Sequence, residues 1–388
     1  MAELLKLPFS DAEYRGRLER AREDMDRRGI DLLLVTVPES LFYLTGFQTG
    51  TVYAFLALLL PRAGEALWIV RLTELSNVET LAAQSWAKDS RGVDDSDDPV
   101  RVVAEEIKKR GFGAKAIGIE RRGFFFTIDH YTKLQAELPN ADWRDGSPIV
   151  ETLRAVKSAG ELAYMRKAGA ITSAAMTEAL ATLKPGILDR ELAATLIASA
   201  IRHGSEPISC GPFVTTGRRT FLAHSSWADI PIAAGDLINT ELATVYQRYN
   251  VPIFRCSIMG KPSDGLQRFH DASRAGLQAG LKRFGPGMTF DEADRVVREE
   301  IARQGYGEYF TVRAAYGIGL SFPPRWSEAN VANIRGGDRR KLEAGMCFHL
   351  VPALYKRDLG CVCCSMPIEI TADGCAPLAT IEADLLVY

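Results

Sequence analysis

At 388 residues the chain is too long for one ordinary core, and two domains of roughly 150 to 240 residues are the natural division. Lys and Arg total 47 against 49 acidic residues, a net charge of −2, which leaves no basic excess for a nucleic-acid backbone or an anionic membrane. The longest apolar run, Ala54 to Leu60, is far short of a membrane span, and Met1–Ser10 is too short and too weakly apolar for a signal peptide, so a cytoplasmic protein with a small-molecule partner is expected.

The first half alternates strands and helices. Ser10 and Asp11 suit the cap of a helix through Tyr14 to Arg28 that Gly29 stops. Asp31–Val37 reads as a buried strand, and Leu56–Leu60 with Ala66–Val70 as a pair joined by the Pro61–Gly64 turn. A charged helix from Pro99 to Arg110 precedes another strand at Ala114–Ile119. This pattern predicts an α/β domain with a mixed sheet over residues 1–148.

From residue 149 to 388 the pattern changes. Long helices follow Gly160 and Leu188, and two more cover Leu266–Phe284 and Thr289–Gln304. Between and after them lie strands at Phe213–Thr216, Leu237–Ala243, Phe254–Met259, Cys347–Leu350 and Met366–Thr371. Strands around helices without a strict βαβ repeat predict an α+β domain. The seven cysteines (210, 256, 347, 361, 363, 364 and 375) all fall in this half. The Cys361, Cys363, Cys364 cluster lacks a second CxxC or a His pair at zinc spacing, so reduced, buried thiols on a strand are expected.

Five segments then occur in a telling order: Leu153–Glu161 with Met165–Gly169, Phe213–Gly217 with Ala223-His224-Ser225, Ala234–Leu237, Tyr316–Leu320, and Gly345-Met346 with Pro352. Together they resemble the creatinase/prolidase family, whose pita-bread fold is shared by aminopeptidase P, prolidase, creatinase and ectoine hydrolase. The resemblance runs over essentially the whole chain. It implies a creatinase-type α/β amino-terminal domain, a pita-bread catalytic domain and a homodimer.

Metallopeptidases of this family hold two divalent ions with two aspartates, a histidine and two glutamates, the hard oxygen-rich set such ions need. Here the first aspartate position carries Glu241 and the second, eleven residues on, Pro252. Tyr316 stands at the histidine position, Val351 at the first glutamate and Ser365 or Met366 at the second. A dimetal site is therefore not expected, nor any other cofactor. The chain is similar instead to the metal-free branches, creatinase and ectoine hydrolase, which cleave C–N bonds at cationic amidinium or guanidinium carbons.

Three details resemble ectoine hydrolase most: Glu241 followed by Arg248–Pro252, Tyr316-Gly-Ile-Gly-Leu with Pro323–Glu328 ("YSIG…PPDWGE"), and Phe348-His349 before Pro352. Met366, where an acidic residue often follows the last-strand serine, departs from that branch. The resemblance implies His224 as general acid/base and Glu241 as the group that holds the cation. Tyr249, Arg313, Tyr316 and His349 are candidates for substrate contact, and Tyr53 and Phe55 for capping a neighbouring subunit's site.

Each candidate has a structural alternative. Glu241, in an apolar strand, either pairs with Arg255 or awaits a cationic ligand. His349 faces the site or the core, and Tyr316 donates to substrate or fills volume. Arg313 binds a carboxylate through its planar fork or pairs with Glu308. Tyr53 and Phe55 suit a core as well as an interface, as do Phe124–Phe126, and His130, His203 and His270 read as structural. Creatinase or another amidinohydrolase or lyase is the nearest alternative function. A non-catalytic peptide-binding module comes next, and a metal-dependent Xaa-Pro peptidase last.

Overall fold

The computed structural model describes residues 6–388, so the first five residues of the opening segment lie outside the described residues. The chain divides into two compact units, Met1–Arg154 and Ala155–Tyr388.

The first unit is built on a six-stranded mixed sheet. Helix α1 (Asp11–Arg27) is capped by Ser10, whose hydroxyl accepts from the Glu13 amide. Strand β1 (Leu32–Val35) is followed by α2 (Pro38–Thr45), β2 (Leu56–Pro61), β3 (Leu67–Arg71), α3 (Leu75–Ala82) and β4 (Asp89–Val93). Then come α4 (Pro99–Lys109), β5 (Ala116–Ile119), α5 (Ile128–Glu137) and β6 (Asp142–Asp145). The sheet order is β4-β3-β2-β1-β5-β6, with β1 antiparallel to β2 and parallel to β5. The three central strands are buried along nearly their whole length, which is why they read as unbroken apolar runs. The two edge strands are polar, β4 mostly half-buried and β6 largely exposed, and carry no such signal.

Helix α6 (Ser147–Ala155) leads into α7 (Ala159–Leu180), whose capping box joins Ser158 and Glu161. The second unit continues with α8 (Asp189–Arg202), β7 (Phe213–Thr216) and the ten-residue strands β8 (Leu237–Tyr246) and β9 (Tyr249–Ile258). Helices α9 (Asp264–Arg283) and α10 (Phe290–Arg303) follow. The remaining strands are β10 (Ala315–Gly317), β11 (Asn333–Ile334), β12 (Cys347–Leu350), β13 (Leu354–Lys356), β14 (Gly360–Val362), β15 (Met366–Ile370), β16 (Cys375–Pro377) and β17 (Leu386–Val387). They form a four-stranded sheet, β17-β9-β8-β7, a five-stranded sheet, β11-β10-β12-β15-β16, and the hairpin β13-β14. Helix α7 packs closely on the β8–β9 hairpin, where Thr172 bonds both Thr244 Oγ1 at 2.7 Å and the Val251 carbonyl at 2.8 Å. Gly169 lets α7 also approach the chain just after β16: a Cβ there would lie 1.8 Å from the Leu378 carbonyl oxygen.

Candidate active site

The β7-β8-β9 sheet sets the floor of a pocket of about 320 Å³ in the second unit. Register places Phe213, Glu241 and Phe254 side by side on three adjacent strands, and Thr215 beside Asn239 two residues along. Because side chains alternate across a strand, all five share one face, and all five line the pocket.

Glu241 is 9% exposed. Burial pushes its carboxyl up to about 8, so in the empty pocket near neutrality it holds its proton. Pairing with Arg255 does not occur. Arg255 lies opposite Thr240 on the other face of the hairpin, where its guanidinium donates to the carbonyls of Phe254, Ser365 and Ile381. The nearest basic atom recorded for Glu241 is His349 Nδ1, 3.9 Å from Oε1.

His224 sits on the loop after a short 3-10 turn, exposed, with φ of +54°. The left-handed backbone is costly for a side chain bearing a Cβ and points to a constrained position. Fixed bonds hold the segment that follows it: Ser226 donates to the Pro212 carbonyl, and the buried Asp189 carboxylate accepts from the amides of Ala228 and Ile230. The His224 ring lies 5.7 Å from that of Phe213, which lies 5.2 Å from Trp326.

The second wall comes from the five-stranded sheet. Tyr316 and His349 are direct cross-strand partners on β10 and β12. Tyr316 lines the pocket; its hydroxyl accepts from Trp326 Nε1 at 3.0 Å and meets His349 Nδ1 at 2.7 Å. His349 is fully buried one layer behind, its Nε2 2.7 Å from Ser365 Oγ. Burial, with the nearby Arg255 and Arg313, pulls its pKa down to about 3, so the ring is neutral. Burial, with Glu241 nearby, holds the Tyr316 phenol well above its ordinary value. Arg313 stands at the pocket with its guanidinium 4.8 Å from the centre of the Tyr316 ring, and no carboxylate pairs with it among the described residues.

The structure therefore brings His224, Glu241, Arg313 and Tyr316 around one pocket, with His349 directly behind. Tyr249 is a correction. It falls on the odd-numbered face of β9, which meets α7, and its hydroxyl bonds Glu161 Oε1 at 2.7 Å rather than reaching the pocket. Tyr53 and Phe55 belong to the first unit: Tyr53 is 71% exposed, and Phe55 packs edge-on against His130 at 5.2 Å. Phe213 and Trp326 lie in segments that the sequence marks, but their place in the pocket, like that of Phe254, is not among the sequence's site candidates. Strand register places the two phenylalanines, and the bond to Tyr316 places Trp326.

The residues do not fit a pair of hard divalent ions. Glu241, Tyr316 and Val351 line this one pocket, Pro252 is buried, and Ser365 is engaged with His349 and the Phe254 amide. Glu241 is the sole carboxylate in the set, and Val and Pro side chains offer no donor. Among the described residues no group of three or more His, Cys, Asp or Glu is placed to hold a metal. Cys361 lines the pocket and Cys363 and Cys364 lie near it, all buried, with thiols that burial holds far above their usual range.

Comparison with known proteins gives two family matches: the creatinase/prolidase N-terminal domain over residues 17–156, and metallopeptidase family M24 over residues 163–387. Ectoine hydrolase of Halomonas elongata is 30% identical, with 99% of each chain covered. The Xaa-Pro dipeptidase of Lactobacillus delbrueckii subsp. lactis is 28% identical, covering 95% of this chain and 98% of its own. Among solved structures, the dipeptidase PepE from Mycobacterium ulcerans superposes with a TM-score of 0.85 at 25% identity, covering 98% and 99% of the two chains. A prolidase from Thermococcus sibiricus gives 0.88 at 21% identity, over 97% and 99%. No described helix is long and apolar enough to cross a membrane.

Proposed function

We propose, from the premise that this chain belongs to metallopeptidase family M24, that its pocket hydrolyses a C–N bond in a small cyclic amidine or guanidino acid without a bound metal. The observation that carries this reading is Glu241: a buried, proton-bearing carboxyl at the centre of a pocket whose other family ligand positions hold Tyr316 and Val351. An amidinium carbon is already electrophilic because its cation is delocalised over two nitrogens. A carboxylate that pairs with that cation and a base that takes a proton from water then suffice.

In this mechanism the cation displaces the Glu241 proton and pairs with the carboxylate. His224, at the mouth, takes a proton as water adds to the amidinium carbon. It returns that proton to the departing nitrogen, which keeps the electron pair of the broken C–N bond. Arg313 holds the substrate carboxylate, and Tyr316 contacts it from the pocket wall. Ectoine-like substrates come first, supported by the ectoine hydrolase relative; creatine-like guanidino acids come next.

The dipeptidase relatives favour a second reading, metal-dependent cleavage of Xaa-Pro dipeptides, and one assay separates the two. Purified protein, with and without chelator, is offered ectoine, hydroxyectoine, creatine and an Xaa-Pro dipeptide. Amidine or guanidine turnover that survives the chelator and is lost in Glu241→Gln with the fold intact is expected. Undiminished turnover in Glu241→Gln sinks the assignment, and chelator-sensitive dipeptide hydrolysis replaces it. A homodimer in which Tyr53 and Phe55 cap the neighbour's pocket belongs to the same proposal. It predicts a dimer by light scattering and a severalfold rise in KM for Tyr53→Ala, and a fully active monomer would remove it.

A further inference from the structure

The His349 ring stands between two hydroxyls, each 2.7 Å away: Tyr316 Oη at Nδ1 and Ser365 Oγ at Nε2. A neutral imidazole donates from one nitrogen and accepts at the other, so the chain has only two consistent polarities. In the first, Tyr316 donates to Nδ1 and Nε2–H donates to Ser365. The serine proton is then left to the Phe254 carbonyl at 3.4 Å, an oxygen that already accepts from Arg255 at 2.6 Å. In the second, Ser365, whose oxygen accepts the Phe254 amide at 2.8 Å, donates to Nε2, and Nδ1–H donates to Tyr316. Every bond in the second arrangement is short. Tyr316 Oη then accepts from both His349 and Trp326, and its own proton is left for the pocket.

We infer that Ser365 and His349 are positioning residues that fix Tyr316 as a hydrogen-bond donor to a carboxylate on the bound ligand, beside Arg313, whose guanidinium donates to the same group. The assignment of the ligand group rests on the function proposed above; the polarity of the chain rests on its geometry alone. Glu241 thus asks for a donor cation and Tyr316 with Arg313 for an acceptor anion, so the pocket reads a zwitterion. An amidine without a carboxylate satisfies one side only. A neutral phenol is the right group for this task, since it donates without ionising.

Nitrogen-15 spectra of histidine-labelled protein read the polarity directly, with the His349 signals identified by their loss in His349→Gln. A protonated Nδ1 and a bare Nε2 are expected, and the reverse pattern overturns the inference. Ser365→Ala is expected to raise the share of Nε2–H, while Ser365→Thr restores the original pattern. Binding tests the second half. Tyr316→Phe is expected to weaken ectoine binding about tenfold or more while leaving acetamidine unchanged. Equal loss for both, or none for either, overturns the donor role. If wild-type protein binds no amidine of any kind, the proposed function fails, while the tautomer measurement still decides the polarity of the chain.

Discussion

Glu241 illustrates how one side chain's surroundings set its chemistry. Its carboxyl is raised to about 8 by burial, so a cationic ligand must displace a proton to pair with it at lower pH. Affinity for an amidine is therefore expected to rise about tenfold per pH unit up to roughly 8 and then level off, because each unit of pKa separation is a factor of ten. Calorimetry at pH 6, 7 and 9, in buffers of different ionisation enthalpy, checks both the slope and a release close to one proton per ligand at pH 7. A flat affinity across that range would show that Glu241 does not carry the cation. In the sequence Arg255 stands as the structural alternative to a cationic ligand as the partner of Glu241. Parity removes it: 241 and 255 belong to opposite faces of the hairpin.

At the scale of elements, the loop that brings Trp326 to Tyr316 is anchored by a buried ion pair. Lys157 Nζ lies 2.8 Å from Glu328 Oε2, and both side chains are almost wholly excluded from solvent. The pair presses on Gly319, where a Cβ would stand 2.5 Å from the Glu328 carboxylate. Lys157→Ala removes the ammonium partner of the buried Glu328 carboxylate and is expected to cost about 3–5 kcal/mol, whereas Lys157→Met with Glu328→Leu recovers most of that loss. Chemical denaturation of wild type and the two variants checks this, and a single mutant as stable as wild type would show the pair to be dispensable. The long elements were legible in the sequence: α1, α4, α7 and the central strands carry caps and apolar runs. The short ones, β10, β11, β13 and β16, were not, because two or three residues hold no period and form only where a neighbouring strand completes them.

Over the whole molecule, four buried groups with large shifts contribute to the response of stability to pH. His349 is lowered to about 3 and His270 to about 4, while Glu120 is raised to about 7 and Glu241 to about 8, burial being the leading cause in each case. The two histidines stay neutral in the folded chain while the unfolded chain protonates them, so their contribution is lost as pH falls below about 6.5. The two glutamates keep protons that the unfolded chain gives up, so theirs is lost as pH rises above about 4.5. The two effects oppose each other between those values and give a plateau, followed by a decline above about pH 6.5. Of the four, Glu241 keeps the largest share of its proton between pH 7 and 8, so thermal unfolding of Glu241→Gln should decline less than wild type over that interval. Identical declines would show that Glu241 is ionised in the folded chain.

The sequence by itself determined the two-domain order and the family. Those facts are written in residue identity, in the order of motifs and in the long periodic elements, all local along the chain. His224 and Glu241 were legible for the same reason. Tertiary structure alone decided which side chains meet. It turned Tyr249 towards α7, set Phe213 and Phe254 on either side of Glu241, and linked Ser365, His349, Tyr316 and Trp326 in one hydrogen-bonded chain. Strand register and pleat fix the meetings between residues on strands, and a shift of one residue in register would turn those side chains to the opposite face.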